Sequence, residues 1–321
     1  MNFIKKMFAI ERTPKRGLMA IEWAVLAYTV FTLCVALFTY TRLVNPDAMV
    51  WGRVRVVAMT AALWLVYRLV PCRLTRCVRV VAQMSMLAWW YPDTYELNRM
   101  FPNLDHLFCS WEQSLFGFQP AISFSSTFSW PVISELMSLG YTSYYPMIVF
   151  TSFFYLCFRY TEFERATFVI MASFFIFYLV FIFVPVAGPT FYYKAVGMDN
   201  IMAGVFPSLG DYFNTHQECL PTPGYTDGLF YELVEEAKAA GERPTAAFPS
   251  SHVGIATVCM LLACHTRQRQ LVWLMLPFYV LLCFSTVYIQ AHYAIDAIGG
   301  LVFGACCYFV LMLCTKRLKS R

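Results

Sequence analysis

Apolar residues run through this chain in long blocks, and its polar residues gather between them. Eight blocks read as membrane helices: residues 19 to 40, 54 to 70, 77 to 91, 136 to 158, 165 to 186, 250 to 266, 271 to 289 and 292 to 314. A helix needs about 20 residues to cross about 30 Å of hydrocarbon. Most of the blocks reach that length, and 77 to 91 is the short one. The first block is as long as a full span and no small-residue cleavage site follows it, so it is expected to stay in place as an anchor.

The connections are unequal. Residues 92 to 135 and 187 to 249 form long segments, whereas the others are short. The first long segment, "YPDTYELNRMFPNLDHLFCSWEQSLFGFQP", mixes aromatic and acidic residues and suggests helices lying in the headgroup layer. In the second, "DGLFYELVEEAKAA" has the apolar spacing of a short amphipathic helix. With no internal repeat, residues 77 to 321 read as one membrane-embedded domain of six helices. Residues 1 to 76 read as a tail with two added spans. The fold class is therefore an all-α integral membrane protein of about eight helices.

Composition agrees with this. Of the 321 residues 59% are hydrophobic and only 13% charged, where a soluble domain carries about a quarter. Mean hydropathy is +0.56. The net charge of +5 says less than its distribution. Lys5, Lys6, Arg12, Lys15 and Arg16, then Arg68, Arg73, Arg76 and Arg79, then Arg159, Arg165, Arg267 and Arg269, then Lys316, Arg317, Lys319 and Arg321 all fall on one side of an eight-span arrangement. The excess of Lys and Arg marks that side as cytoplasmic. Both termini are then inside, and both long segments lie on the outer face of a cell membrane. Nucleic acid is not an expected partner. Most cysteines sit within apolar blocks as small hydrophobes. Cys109 and Cys219 instead fall in the outer segments, where an oxidising compartment could join them.

The chemistry gathers late in the chain: Lys238, Arg243 and Pro244, then Pro249-Ser250-Ser251-His252, then "STVYIQAHYAIDAIGG" with His292 and Asp296. The topology returns all of these to one membrane face. His292 and Asp296, four apart, would stack on one helical face, the carboxylate orienting the ring as a nucleophile. His252 is placed to give a proton to a leaving oxygen. Ser250 and Ser251 stand where a helix N-cap belongs, beside free N–H groups that favour an anion, and Arg243 and Lys238 would add cations. Taken singly, the serines are most simply a cap and the His/Asp pair a structural contact. Their common placement at span ends, where ionisable residues are costly, points to function. The anion cradle argues against a metal site. His106, His216 and His265 need no role, while Lys194 is open between a headgroup contact and a second phosphate clamp.

These residues resemble the type-2 phosphatidic acid phosphatase superfamily, whose signature is Lys, six residues, Arg-Pro; then Pro-Ser-Gly-His; then Ser-Arg, five residues, His, three residues, Asp. Here the second block is "PSSH" and the third "STVYIQAHYAID". The resemblance implies His292 as nucleophile, Asp296 as its partner and His252 as general acid, with no cofactor. Two departures stand out: only four residues separate Lys238 from Arg243, and Thr286 occupies the Arg position of the third block. The Thr at that position, with "AFPSSHV", "TVY" and "HYAID", is more similar to the inositol phosphorylceramide synthase branch.

The expected activity is hydrolysis of a membrane lipid phosphomonoester or pyrophosphate through a phosphohistidine at the outer face. Transfer of a phosphoalcohol headgroup to a lipid alcohol is the alternative, and a non-enzymatic lipid-binding or transport role a third.

Overall fold

The apolar blocks become helices because a chain in hydrocarbon must satisfy its own backbone N–H and C=O groups. The computed structural model describes residues 3 to 316; the basic residues Arg317, Lys319 and Arg321 lie outside them. Sixteen α-helices are found among the described residues. The first half holds α1 (Phe3–Phe8), α2 (Ala20–Phe38), α3 (Pro46–Leu69), α4 (Arg73–Ser85), α5 (Leu87–Asn98), α6 (Asp105–Phe116), α7 (Pro120–Thr127) and α8 (Pro131–Thr142). The second holds α9 (Tyr144–Phe158), α10 (Tyr160–Phe183), α11 (Pro189–Val196), α12 (Met198–Met202), α13 (Leu229–Gly241), α14 (Ser251–His265), α15 (Arg269–Tyr288) and α16 (Ala294–Cys314).

Five of them, α2, α3, α10, α15 and α16, are long and apolar enough to cross a membrane, and α9 and α14 are apolar but shorter. The chain is thus all-helical and fits a multi-pass membrane protein. Four blocks differ from expectation. The second starts at Pro46, whose fixed φ suits a first helical position. The third is two helices end to end, α4 and α5, meeting at Met86. The fourth is likewise divided, α8 from α9, at Ser143. The fifth begins at Tyr160, five residues early.

Arg73, Arg76 and Arg79, expected on the cytoplasmic side between spans, lie in the first turns of α4, where the charges of Arg76 and Arg79 are neutralised in place. Buried Arg79 is bound by buried Glu22 of α2, its Nε donating over 2.6 Å. Arg76 lies 3.6 Å from Glu11. Arg53 of α3 makes a two-pronged pair with Asp93 of α5, at 2.8 and 2.7 Å. Pairing is what allows charge at such depth, since removing one partner strands the other in a dry interior.

Helix α10 is the axle of the bundle, packing against α2, α5, α9, α14 and α16. Its Phe175 stacks on Tyr28 of α2 with ring centroids 4.3 Å apart. Helices α14 and α16 approach closely because Gly300 and Gly304, four residues apart, present bare backbone. A Cβ on Gly300 would sit 2.3 Å from the Ser250 carbonyl oxygen, and one on Gly304 2.3 Å from that of Gly254. At the far end of the bundle, Arg159 and Arg165 donate to the carbonyls of Thr266 and Met312, at 2.7 and 2.6 Å. Cations there complement the negative ends of α14 and α16. Along α16 that end is about 30 Å from His292.

Candidate active site

The two histidines meet at one end of the bundle. His252 lies in the first turn of α14, and His292 in the turn that joins α15 to α16. That turn is made by Gln290, whose φ of +63° reverses the backbone, so that the N–H of His292 returns to the Thr286 carbonyl over 3.0 Å. Gly188 packs beneath it with φ +93°; a Cβ there would lie 2.6 Å from the Ala291 carbonyl oxygen.

His292 is buried, and its Nδ1 is 2.8 Å from the carbonyl oxygen of Ala247. A carbonyl can only accept, so Nδ1 carries the proton and Nε2 keeps its lone pair. Nε2 lies 3.4 Å from Nδ1 of His252. The His252 ring is itself held against Tyr141 and Tyr144, with centroids 4.6 and 4.4 Å away. Burial lowers the pKa of His292 to about 4, against opposing contributions from the Ala247 contact and from Glu242. The ring is therefore neutral at physiological pH, with a lone pair available for attack.

Asp296 is close to His292 but not stacked on it along a helix as expected. His292 precedes α16, and the Asp296 carboxylate folds back to accept from the Tyr293 N–H at 2.9 Å. Its Oδ2 is 3.8 Å from Nδ1 of His292, beyond hydrogen-bond reach, and the hydrogen bond from Nδ1 goes to Ala247. The carbonyl of Ala247 is thus the orienting group, and sequence patterns carry no signal for a main-chain atom.

Behind the histidines lies an acid network that the sequence reading missed. The segment expected as a headgroup belt turns Asp105 and Glu112 inward, and both are fully buried. Asp105 accepts from the N–H groups of Ala187 and Gly188, at 2.6 and 2.8 Å, from the Tyr293 hydroxyl at 2.9 Å and from Asn103 at 2.5 Å. The Ala247 N–H in turn donates to Val186, at 2.9 Å. Asp105 therefore fixes the loop that fixes Ala247, which fixes His292. Burial raises its pKa to about 6, against those hydrogen bonds. Glu112 accepts from the first N–H groups of α16, those of Ala294 and Ile295, at 2.5 and 3.3 Å. Burial first, then the charge of Asp296, pushes it up to about 8.

The phosphate-binding candidates separate. Ser250 is fully buried and its hydroxyl accepts from the Val253 N–H at 3.4 Å, so it is a cap. Lys238 is held by the Leu220 carbonyl, Thr222 and Glu235, at 3.0, 3.1 and 3.1 Å. Thr286 is buried and turns its hydroxyl to the Cys283 carbonyl, and Lys194 is exposed on α11. Ser251 and Arg243 line the same cavity as the two histidines. Arg243 donates to the neighbouring Glu242 carbonyl at 3.2 Å and forms no ion pair among the described residues. Cys109 and Cys219 are not joined: both are free, and the Cys109 thiol donates to Gln119 at 3.3 Å.

The cavity has a volume of about 820 Å³ and is walled by α4, α5, α8, α9 and α10. On α10 its lining runs from Phe163 to Tyr178, a distance of about 22 Å at the helical rise. Apart from the histidine end it is apolar and aromatic. Comparison with curated proteins and with solved structures finds no match. A family model described as the PAP2 superfamily matches residues 106–310, a stretch that begins just after Asp105 and contains Glu112, the cavity's loop 237 to 247 and both histidines. That stretch is well over half of the chain, and the protein belongs to the PAP2 superfamily.

Proposed function

We propose that the protein is an integral-membrane enzyme that cleaves a phosphoester of a membrane lipid through a covalent phosphohistidine on His292. One observation carries the proposal. The Ala247 carbonyl accepts a hydrogen bond from Nδ1–H, leaving Nε2 with its lone pair 3.4 Å from a second histidine on a shared cavity.

In this reading Nε2 attacks phosphorus, the Nε2–P bond forms and the ester P–O bond breaks. The leaving oxygen takes the electron pair and the proton held by His252. An acceptor hydroxyl then attacks phosphorus and gives its proton to His252, and the N–P electron pair returns to Nε2. Asp296, 3.8 Å from Nδ1, compensates the positive charge that develops on the ring. Arg243 binds the phosphate oxygens and Ser251 adds a polar contact. Lys238 and Ser250 act indirectly, by holding the 220 to 238 segment and the start of α14.

The long apolar cavity supports a lipid as substrate, because about 22 Å exceeds the half-thickness of a bilayer whose hydrocarbon core is about 30 Å. With water as acceptor the enzyme is a lipid phosphatase acting on a phosphomonoester or pyrophosphate. Transfer of a headgroup to a lipid alcohol is favoured by one feature, a site joined to an apolar cavity rather than to a polar one. We read the chain as eight crossings, with α4 to α5 and α8 to α9 each counted as one, a reading with both termini in the cytoplasm and the histidines at the outer face that the excess of Lys and Arg on the inner side supports.

The test is turnover of labelled lipid phosphates in micelles, with and without ceramide or diacylglycerol. Free phosphate alone marks the phosphatase; a new phospholipid that needs the acceptor marks the transferase. His292→Ala should abolish both, and an acid-labile, base-stable phosphoenzyme should vanish with it. Turnover retained by that folded variant would refute the phosphohistidine.

A further inference from the structure

Helix α6 buries one stripe, Asp105, Phe108, Cys109 and Glu112, set three and four residues apart. Asp105 receives four donors, but Glu112 is left half satisfied. Its Oε1 accepts from the N–H groups of Ala294 and Ile295, at 2.5 and 3.3 Å, while Oε2 is sealed from solvent and has no partner among the described residues. Asp296 shows the same pattern on the same turn. Its Oδ2 accepts from the Tyr293 N–H at 2.9 Å, and Oδ1 is sealed and without a partner. Two fully buried carboxyl groups are thus received by three consecutive amides, 293 to 295, whose N–H groups open onto one helix end. Each keeps one oxygen unsatisfied there.

Buried polar atoms are rarely left unpaired, and two carboxyl groups sharing a dry site do not both ionise. A proton on Oε2 of Glu112 answers both difficulties. An ionised carboxylate only accepts, whereas a protonated one also donates, so the two orphan oxygens become donor and acceptor. We propose that Glu112 is a positioning residue for the His292 chemistry, a neutral acid whose Oε2–H donates to Oδ1 of Asp296 and holds that carboxylate toward the ring. The proposal rests on the His292 reading and deepens it. Asp296 then carries the only charge of the pair, with Oδ2 at 3.8 Å from Nδ1 to compensate the positive charge that develops on the ring. Burial and the charge of Asp296 push Glu112 up to about 8, which keeps its proton in place at neutral pH. The titratable groups that face Glu112 are Asp296 of α16, Cys109 of α6 and Tyr193 of α11, and Asp105 adds a negative charge felt by Asp296. No cation is among them. Loss of the Glu112 proton in alkali removes the donor and sets a second negative charge beside Asp296, so the carboxylate is released from its position and the rate falls.

Purified full-length protein in micelles is assayed on dipalmitoyl lipids bearing phosphate or phosphoethanolamine, with diacylglycerol present, and kcat and KM are followed across pH. The wild type should lose kcat as pH rises through about 8. Glu112→Gln keeps an acceptor for Ala294 and a donor for Asp296, so it should hold kcat at neutral pH within about threefold and lose the alkaline fall. Glu112→Ala should lower kcat by about 10- to 100-fold at neutral pH with KM little changed. A wild type without the alkaline fall overturns the proposal. So does a fall near 8 that persists in Glu112→Gln, or a Glu112→Gln enzyme as slow as Glu112→Ala. Infrared difference spectra, wild type minus Glu112→Gln, read the proton without turnover. A protonated carboxyl band should be present at neutral pH and fade above about 8; its absence at neutral pH overturns the proposal. The His292→Ala control separates the two readings. Turnover without His292 defeats the phosphohistidine itself, whereas an essential His292 with an unmoved alkaline fall defeats only the role of Glu112.

Discussion

Replacing Gly300 with Ala tests how the histidines are brought together, because a single methyl group lands on backbone. The new Cβ would stand 2.3 Å from the Ser250 carbonyl oxygen, where ordinary contact begins at 3.4 Å. A carbonyl at a helix start cannot rotate aside as a flexible side chain can, so α14 and α16 must part by about 1 Å at that level. Ser250 is two residues from His252 and caps its helix, so the displacement reaches the His252 ring almost undiminished. Overpacking of this kind costs about 1 to 3 kcal/mol of stability. A misplacement of about 1 Å between reacting groups can cost about 100-fold in rate. The expected result is a fall in kcat of about 100-fold, with KM little changed because the cavity walls on α4, α9 and α10 are untouched. Leu301→Ala, on the exposed side of the same helix, should leave kcat as it was. Turnover of lipid phosphoester by Gly300→Ala within about threefold of the wild type would refute the claim that this glycine contact sets the distance between His252 and His292.

Three further outcomes follow from the site. Asp105→Asn turns an acceptor of four hydrogen bonds into a side chain with one acceptor oxygen. It should lower kcat by about 10- to 100-fold, as loss of a positioning partner does elsewhere, which single-turnover rates would show. Catalysis should persist at acidic pH until His292 is protonated near 4; a loss already complete at 6.5 would contradict its burial. The same shift makes folding stability fall by about 3 kcal/mol as pH drops from 6.5 to 4, since the unfolded chain takes up the proton first. For Glu112 the sign is reversed. Its pKa is raised from 4.5 to about 8, so stability is greatest below 4.5 and declines, by up to about 5 kcal/mol, as pH rises to 8. Glu112→Gln should flatten that part of the profile in denaturation curves.

The blocks that became α2, α14, α15 and α16 were legible because hydrophobic length is a local property of the chain. The full extent of the block 77 to 91 was not, because buried Arg79 in α4 and Asp93 in α5 are tolerated only through Glu22 and Arg53, partners far away in sequence. His252 and His292 were legible as types at a spacing. Their orientation depends on the Ala247 carbonyl, a main-chain atom that no residue letter records. The pair Gly300 and Gly304 was a readable sign of close helix contact, overlooked beside the more conspicuous His and Asp. Asp105 and Glu112 looked like the surface of an aromatic segment, and nothing local distinguished an inward acid from an outward one.

The placement of those acids bears on how the site manages charge. Asp105, Glu112 and Asp296 are all fully buried, and among the described residues none forms an ion pair with Lys or Arg. Each is instead received by backbone N–H groups, those of Ala187 and Gly188, of Ala294 and Ile295, and of Tyr293. Hydrogen bonds from fixed amides hold a carboxyl group in place without a mobile counter-charge. The scaffold therefore draws no cation away from the cavity and adds none to it. The charged side chains that line the cavity are Arg243, Glu242 and Lys238, the last matched by Glu235 at 3.1 Å.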